Sequence, residues 1–579
     1  MKIKGLSYQL LAFAILIGWG SSMLSAQTPF DVEYREVASQ IREQVLLFSD
    51  RSLYAVDETI HFTVDHRVTG PIEGYLWSSV LYLELITANG QSLSQGKYPI
   101  SDGKAQGTLH IPAEALTGDY YLKAYTRWMR NQGPGSFSYT ALKIINPYRS
   151  EVVDHADLED TSASARKAMY REGILECSTS SASYSAGEEV LLDLKGASGA
   201  YSGPLNYCVT VVPEGAIDFS EGAYVPNSHE EGDVFTLRFL PDLGRTISIS
   251  GTVVDSGQVP VPYATLHFSL LGESPDFFAA MADENGRFVL NAPAAAGEKQ
   301  EYFIAPEQEV GEGLEVRIDE EFDSRTVDFP GDAFRLSEDE RELARKIALN
   351  MQLSKVFTQD LVEEETPAPE EFSEGKRIPF YGTRLNRLLI DDYVMLPNLE
   401  EVFINLVPEI QFYKKKGVTR IRIMSENSSI EVYSPLIMID HVSVFDHQAL
   451  LALSPEKIER VDLINEIYLK GNVAFGGILA IHSRKGDMAG IDLPKGSYFF
   501  DYQSFHPEVK PVETLPALDA RVPDTRNTLL WTGGLNLEQD TQKELSFRAP
   551  EHAGSYIVLV RGVLPSGELY LAKTKFRVE

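Results

Sequence analysis

Residues 435–487 read PLIMIDHVSVFDHQALLALSPEKIERVDLINEIYLKGNVAFGGILAIHSRKGD. An apolar run from Leu436 to Ile439 ends at Asp440, and a second short run follows at Val442 to Phe445. Ser454-Pro455-Glu456 supplies an N-cap, a proline for the first helical position and an acid for the first turn, so a short helix opens there. Ile458 to Ile464 is rich in branched apolar residues and reads as a strand. After Gly471, the pair Gly476-Gly477 reads as a turn before a last strand, Ile478 to Ile481, which ends in Arg484-Lys485-Gly486. The pieces make a small α+β unit.

This order resembles the plug domain of TonB-dependent outer-membrane receptors. His441 stands where that family usually has glycine, and Asn465–Phe475 is stretched relative to its pattern. The resemblance implies a barrel of roughly 22 strands downstream. The residues after Asp487 are too few for that many strands of about ten residues. The expectation is a plug-like domain without its barrel, acting by contact and not by transport.

The 579 residues suffice for several domains. Met1 to Ala26 has the form of a signal peptide. Lys2 and Lys4 begin it, Leu10 to Trp19 is its apolar core, and Leu24-Ser25-Ala26 offers a cleavage site. No later run approaches eighteen apolar residues, so no transmembrane segment is expected in the mature chain, and peripheral membrane association stays open. A formal charge of −32 argues against nucleic-acid binding, which needs basic patches. The two cysteines, Cys177 and Cys208, fall on strand-like segments of an exported chain. A disulfide between them and two buried thiols are both open readings.

Outside the opening segment the chain alternates like β-sandwich sequence. Ile60, Phe62 and Val64 alternate, and so do Tyr121, Lys123 and Tyr125 against Tyr120, Leu122 and Ala124. The segments SDRSLYAVDETIHFTV (49–64) and LTGDYYLKAYTRWMRNQG (116–133) resemble macroglobulin-like domains of exported Bacteroidetes-type proteins, with Trp128 and Arg130 read as packing and surface pairing. Ser181–Leu194 echoes the first segment and suggests a second copy. Ile247–Pro306, with Asn285-Gly286 as a hairpin turn, resembles transthyretin-like, carboxypeptidase-regulatory domains. Ser337 and Glu340 form a capping box before a helix striped by Leu343, Ile347 and Met351. Residues 362–375 are acidic and proline-rich, the best linker in the chain. Pro523–Glu579 resembles the Ig-like tail that follows plug-like domains in the same proteins.

The chain holds no HExxH, GxSxG or phosphate-loop motif, and no histidine pair at ligand spacing on a helix. His441 and His447 read as incidental loop positions. Cys177 lies in Leu-Glu-Cys-Ser and Cys208 in Asn-Tyr-Cys-Val, so neither fits the thioester of a protease trap. No catalytic residue, cofactor or metal is assigned.

The expected fold is mainly β: tandem macroglobulin-like, transthyretin-like and Ig-like sandwiches plus one α+β plug-like domain. The expected segments are 1–26 signal peptide, 42–148 and 165–245 macroglobulin-like, 246–330 transthyretin-like, 331–376 helix and linker, 377–490 plug-like and 491–579 Ig-like. The expected role is a non-enzymatic exported scaffold or accessory subunit, periplasmic or outer-membrane-associated, whose partner is an outer-membrane protein or envelope complex. The alternative is a surface-displayed binding or adhesion protein.

Overall fold

A computed structural model describes residues 36–579 apart from 72–76, 154–169, 198–200, 202, 218–234, 245, 273–274, 294–298, 309–312, 330–333, 359–378, 383–385, 416, 504, 507–522 and 539–540. The expected signal peptide and the 362–375 linker lie outside the described residues. The chain is mainly β, in stacked sandwiches with one α+β insertion.

The first sandwich pairs a three-stranded sheet (Arg42–Ser49, Thr59–Thr69, Lys104–His110) with a five-stranded one. The second runs in the order Leu53–Ala55, Ser138–Ile145, Gly118–Thr126, Val80–Thr87, Ser92–Pro99. The alternating Ile60, Phe62 and Val64 are all buried, and Phe62 meets Tyr98 of the opposite sheet edge-on at 4.7 Å.

The second sandwich repeats that topology with a discontinuous chain. Its three-stranded sheet is Gln542–Arg548, Glu189–Gly196, Leu175–Thr179. Its five-stranded sheet is Ser183–Tyr184, Leu569–Val578, Gly554–Val563, Leu205–Pro213, Leu530–Leu537. Counted along each domain, strands 1, 3 and 6 form one sheet and strands 2, 8, 7, 4 and 5 the other, in both sandwiches. The separate sandwiches expected at 165–245 and 491–579 are therefore one domain. Residues 214–529 are inserted where the first sandwich has only the turn 88–91. A strand's alternation reports which face is buried and not which strand lies beside it, and neither half has enough strands to enclose a core.

The echo noticed in the sequence is also a hydrogen-bonding echo. Tyr54 OH accepts from Arg51 N (3.0 Å) and Glu58 Oε2 from Ala55 N (2.6 Å). In the second copy Tyr184 OH accepts from Ser181 N (2.7 Å) and Glu188 Oε2 from Ser185 N (2.7 Å).

The third sandwich lies inside the insertion. Arg287–Pro293, Thr246–Val254 and Glu315–Ile318 face Asp276–Met281, Thr265–Leu270, Lys299–Pro306 and Tyr498–Gln503. Its last edge strand thus comes from beyond the expected boundary at 330. In its 283–287 hairpin only Gly286 takes a positive φ (72°), and Asp283 accepts from Asn285 N and Arg287 N, both at 2.8 Å. The helix Glu338–Thr358 starts at the expected capping box (Glu340 N to Ser337 Oγ 3.2 Å; Ser337 N to Glu340 Oε2 2.7 Å). Its stripe of Leu343, Ile347 and Met351 is buried in one core shared with the first and third sandwiches.

A second insertion sits within the third sandwich, between Ile318 and Tyr498. Its sheet runs Asn386–Leu389, Ile458–Lys470, Val473–Ser483, Leu436–Ile439, Val442–Ser443. One face packs on the helix Leu399–Leu406 through Val402, Phe403, Leu463 and Leu479. The other, through Leu436, Met438, Ile478 and Ala480, packs on Phe277 and Ala279 of the third sandwich. The Gly476-Gly477 pair is not a turn. It lies inside a strand, where the register shifts between Ile464 and Ile467. A Cβ on Gly476 would fall 2.3 Å from the Tyr433 carbonyl, and Gly477 has φ 91°.

Deleting residues 569–579 removes the eighth strand of the second sandwich. The expected outcome is loss of amide-exchange protection across 189–196 and 205–213 while the first sandwich stays protected. Retained protection at 205–213 would contradict a single discontinuous domain.

Candidate functional site: the domain junctions and their cleft

The segment LTGDYYLKAYTRWMRNQG sits where two sandwiches meet. Tyr121, Lys123 and Tyr125 share a face of their strand, and the extended segment 319–329, which leaves the third sandwich, lies across it. Tyr121 stacks on Phe329 at 3.7 Å. Tyr125 OH accepts from Asp323 N (2.7 Å) and donates to Glu84 (2.9 Å). Lys123 Nζ lies 3.1 Å from Glu84 and also bonds the Asp323 carbonyl. Glu84 and Lys123 are fully buried. A buried ion pair of this kind is tolerable only when its remaining lone pairs and protons are satisfied, and here Gln95 adds a further donor to Glu84 at 2.8 Å.

Lys97 repeats the arrangement one strand away. Its ammonium pairs with Glu321, donates to Gln503 O at 3.1 Å and sits 3.7 Å from the Tyr502 ring centre. Burial pulls its pKa down to about 8 against the opposing pull of Glu321. Arg130 stacks on Phe239 at 4.0 Å, donates to the carbonyls of Glu320 (3.0 Å) and Glu321 (3.3 Å), and lies 3.4 Å from Asp323. The expected packing role fits Trp128, which is fully buried. The surface pairing expected of Arg130 is corrected: the side chain is buried and fastens two domains.

Beside Arg130 a cleft of about 850 Å³ opens, floored by Thr252 and Val254 and walled by Arg238, Arg317, Asp319 and Arg325. Asp319 accepts from Ser250 Oγ and Arg238 Nη2 (2.5 Å each) and from Arg287 (3.1 Å). Burial alone would raise its carboxyl pKa. The Ser250 and Arg238 hydrogen bonds and the Arg287 charge outweigh burial and hold it below the usual range. Arg238, Arg317 and Arg325 leave about half of each side chain in solvent (52, 52 and 51 %). Asp319, Glu320 and Asp323 line the same cleft, and each of these arginines is ion-paired, Arg238 with Asp319, Arg317 with Glu315 and Arg325 with Asp323, so the cleft presents both signs of charge.

A second junction joins the first and second sandwiches. Asp50 is fully buried and accepts from Tyr54 OH (2.7 Å), His61 N (2.9 Å) and Thr528 Oγ1 (2.6 Å), while Asn527 donates to Glu58 (2.7 Å). The tail motif PDTRNTLLW (523–531) is thus a clasp, with Trp531 packed against Phe48 and Cys208.

A third junction mounts the α+β insertion. On the strand Thr265–Leu270 the residues facing the insertion include two polar ones. His267 Nδ1 lies 2.8 Å from Ser443 Oγ, and Ser269 Oγ donates to His441 O at 2.6 Å. Asp440 and His441 both take positive φ (47° and 68°), the two-residue turn for which glycine is favoured at His441. Asp440 compensates by accepting from Ser483 N, Ser483 Oγ and Met488 N (2.8, 2.5 and 2.8 Å). His441 and His447 are therefore structural and not incidental: His447 Nδ1 accepts from Ile421 N at 3.0 Å. Asp462 receives a two-pronged bond from Arg387 (2.7 and 3.0 Å) and one from Tyr381 (2.9 Å), with His482 at 3.7 Å.

Cys177 and Cys208 are both free. Cys177 packs on the core of the second sandwich, whereas Cys208 points out of the opposite sheet towards Leu46 and Phe48 of the first. The open disulfide reading is thereby corrected: the thiols lie on different sheets and in different apolar clusters. Burial raises both thiol pKa values, that of Cys177 to about 12. Among the described residues no cluster of three or more His, Cys, Asp or Glu could hold a metal ion, and no helix is long and apolar enough to cross a membrane.

No protein-family model matches the chain, and no curated protein matches it. Among solved structures, Salmonella alpha-2-macroglobulin reacted with methylamine is 10% identical, covering 93% of this chain and 39% of that chain at a TM-score of 0.23. Native Escherichia coli alpha-2-macroglobulin gives 10%, 93%, 40% and 0.23. The D0-D1 domain of Intimin gives 13%, 47%, 98% and 0.13. The chain spans about two fifths of the length of these macroglobulins. The likeness extends to β-sandwich character alone.

Replacing Arg130 by alanine uncovers Phe239 and removes one partner of the buried Asp323. A loss of about 3 kcal/mol in unfolding free energy is expected in denaturant titration, the scale of breaking one side of a buried pair. A change below about 0.5 kcal/mol would place Arg130 outside the junction's energetics.

Burial lowers the pKa of His267 to about 3 and of His447 and His482 to about 4. Unfolded histidines titrate near 6.5, so the unfolded chain binds more protons between these values. Their stabilisation is full above about pH 6.5 and is lost as pH falls towards 4. Depressed carboxylates such as Asp462 act below about pH 4, and Glu307, whose carboxyl pKa burial raises, opposes the histidines at the low end of this window. Thermal melts at pH 7, 5.5 and 4.5 are expected to fall in that order, with a shallower fall in His482→Gln; a flat profile would refute the assignment.

Proposed function

We propose that the protein is an exported, non-enzymatic scaffold whose α+β insertion docks onto an outer-membrane barrel or envelope assembly. The observation that carries this reading is the display of the insertion. One face of its sheet is held on the third sandwich, while Val394, Val432 and Leu469 stand in solvent (87, 78 and 72 % exposed). They stand on three separate segments of a firmly mounted module, each an aliphatic point open to a partner. The plug-like order of residues 435–487 supplies the kind of partner, and the macroglobulin-like segments of Bacteroidetes-type exported proteins supply the envelope address. The cleft, lined by paired arginines and carboxylates, offers a second, polar contact for the same partner.

The test is affinity purification of the tagged full chain from its native envelope in mild detergent. A stoichiometric outer-membrane protein is expected, and Val394→Asp with Leu469→Asp is expected to cut its recovery at least tenfold with the melting temperature unchanged. Recovery of no envelope protein, or equal recovery with the double variant, would sink the reading.

A further inference from the structure

The three-stranded sheet of the second sandwich ends in an open edge. Among the described residues Gln542–Arg548 pairs with Glu189–Gly196 on one side and with no strand on the other. Apart from the half-buried Leu545 and the buried Phe547, its residues are exposed. The corresponding strand of the first sandwich, Lys104–His110, is held by the second sandwich, where Lys104 Nζ donates to Gly534 O at 3.1 Å. An open edge offers N–H and C=O groups to any chain that can match them.

The ladder fixes which groups are on offer. Ala549 N donates to Glu188 O at 2.8 Å, in line with the register that sets Arg548 opposite Glu189. Hydrogen-bonded and non-bonded pairs alternate along an antiparallel ladder. Phe547, Leu545 and Lys543 therefore bond inwards to Val190, Leu192 and Leu194. Gln542, Glu544, Ser546 and Arg548 aim their backbone groups at the open edge. The other flank of the middle strand has the matching phase, since Leu191 O accepts from Ser180 N at 3.0 Å.

A second copy related by a twofold axis has to pair these outward residues with one another. An axis through Glu544 sets two glutamates face to face, and one through Arg548 sets two arginines so. Gln542 lies at the end of the strand, and an axis there pairs little of it. An axis through Ser546 puts Glu544 opposite Arg548 of the copy, on both sides of the axis. The same register lays Leu545 across from Phe547 of the copy on the inner face, and Pro550, which has no N–H, ends the pairing. Glu544 lies beside Asp193 on its own sheet, a neighbour of like charge. Among the described residues neither Glu544 nor Arg548 has an ion-pair or hydrogen-bond partner for its side chain. Charges on an edge strand commonly keep other chains away. Here their order admits one register.

We propose that the chain forms a twofold dimer in which Gln542–Arg548 pairs antiparallel with the same strand of a second copy about an axis at Ser546. The two three-stranded sheets then make one continuous sheet. Its three facing pairs supply roughly six backbone hydrogen bonds, and the interface is the same patch on both subunits. The edge shares no residue with the insertion, so dimer formation and envelope docking stand or fall separately.

The experiment is sedimentation velocity of the full chain. It is run in roughly 0.15 M salt, where repulsion between the two acidic chains is screened beyond about 8 Å. A monomer–dimer equilibrium is expected, with a dissociation constant on the order of 10 to 100 µM. Glu544→Lys alone and Arg548→Glu alone each set like charges opposite one another at both facing pairs, and each is expected to weaken the dimer about tenfold. Both changes fall on exposed side chains, so the melting temperature is expected to stay as it was. An equimolar mixture of the two variants is expected to recover the lost affinity. In the mixed dimer the two altered positions face each other with opposite charge, and so do the two unaltered ones. A chain that stays monomeric up to about 1 mM would show the edge to be guarded by its charges and would overturn the proposal. A dimer indifferent to both variants, or a mixture no tighter than either variant alone, would overturn it as well.

Discussion

A sandwich core closes only when both of its sheets are complete, and in this protein that closure waits for the end of the chain. Strands 1 to 4 of the second sandwich are finished at Pro213, yet strands 5 to 8 begin at Leu530. Everything between must fold in a way that brings its two ends to adjacent strand positions. The pairing of Leu205–Pro213 with both Leu530–Leu537 and Gly554–Val563 fixes that geometry. The same constraint recurs inside, where Lys299–Pro306 waits for Tyr498–Gln503. Contacts of such sequence separation cost loop-closure entropy before they return any stability.

The junctions are what make the nested arrangement one body, and they are polar where a simple core would be apolar. Lys97–Glu321, Asp50–Thr528 and Tyr82–Asp242 pair segments distant in sequence, and the buried Glu84–Lys123 pair, on adjacent strands of the first sandwich, takes the Asp323 carbonyl. Replacing such pairs by well-packed apolar residues is often neutral or stabilising, so raw stability does not account for them. Their value lies in direction: an apolar seam slides at little cost, whereas Lys123 between Glu84 and the Asp323 carbonyl has one register. The Asp440–His441 turn works the same way. Its strained backbone is held by Ser483, Met488 and Ser269 at once, so the insertion has one seat on the third sandwich.

Local order was legible in the sequence and partnership was not. The strands around Ile60 and Tyr121, the capping box at Ser337, the Leu343–Met351 stripe and the 435–487 order were all readable, because each depends on neighbours within a few residues. The echo of Ser52–Val64 in Ser181–Leu194 pointed to a second sandwich. Its missing half then passed for an Ig-like tail, since strand periodicity carries no address of its partner. The same blindness made Arg130 look like a surface residue. Its burial comes from a segment nearly two hundred positions away, 319–325. Gly476-Gly477 was read as a turn because glycine marks turns and bulges alike, and only the register shift opposite Ile464 separates them.

Mounting and reach follow from the same nesting. The insertion leaves the third sandwich after Ile318 and returns as Tyr498–Gln503, which pairs with Lys299–Pro306. That strand's Phe303 and Ala305 in turn pack against Val442 of the insertion. The module is thus tied by its chain to the sheet that also covers its face, and a rotation about the tether would have to break the His267–Ser443 and Ser269–His441 bonds together. A module so held keeps one orientation on the third sandwich. A partner that engages it meets little disorder to overcome, which is the condition under which a modest exposed surface gives useful affinity. The order of domains in space, and not the chemistry of any one residue, is therefore the feature on which a contact function would rest.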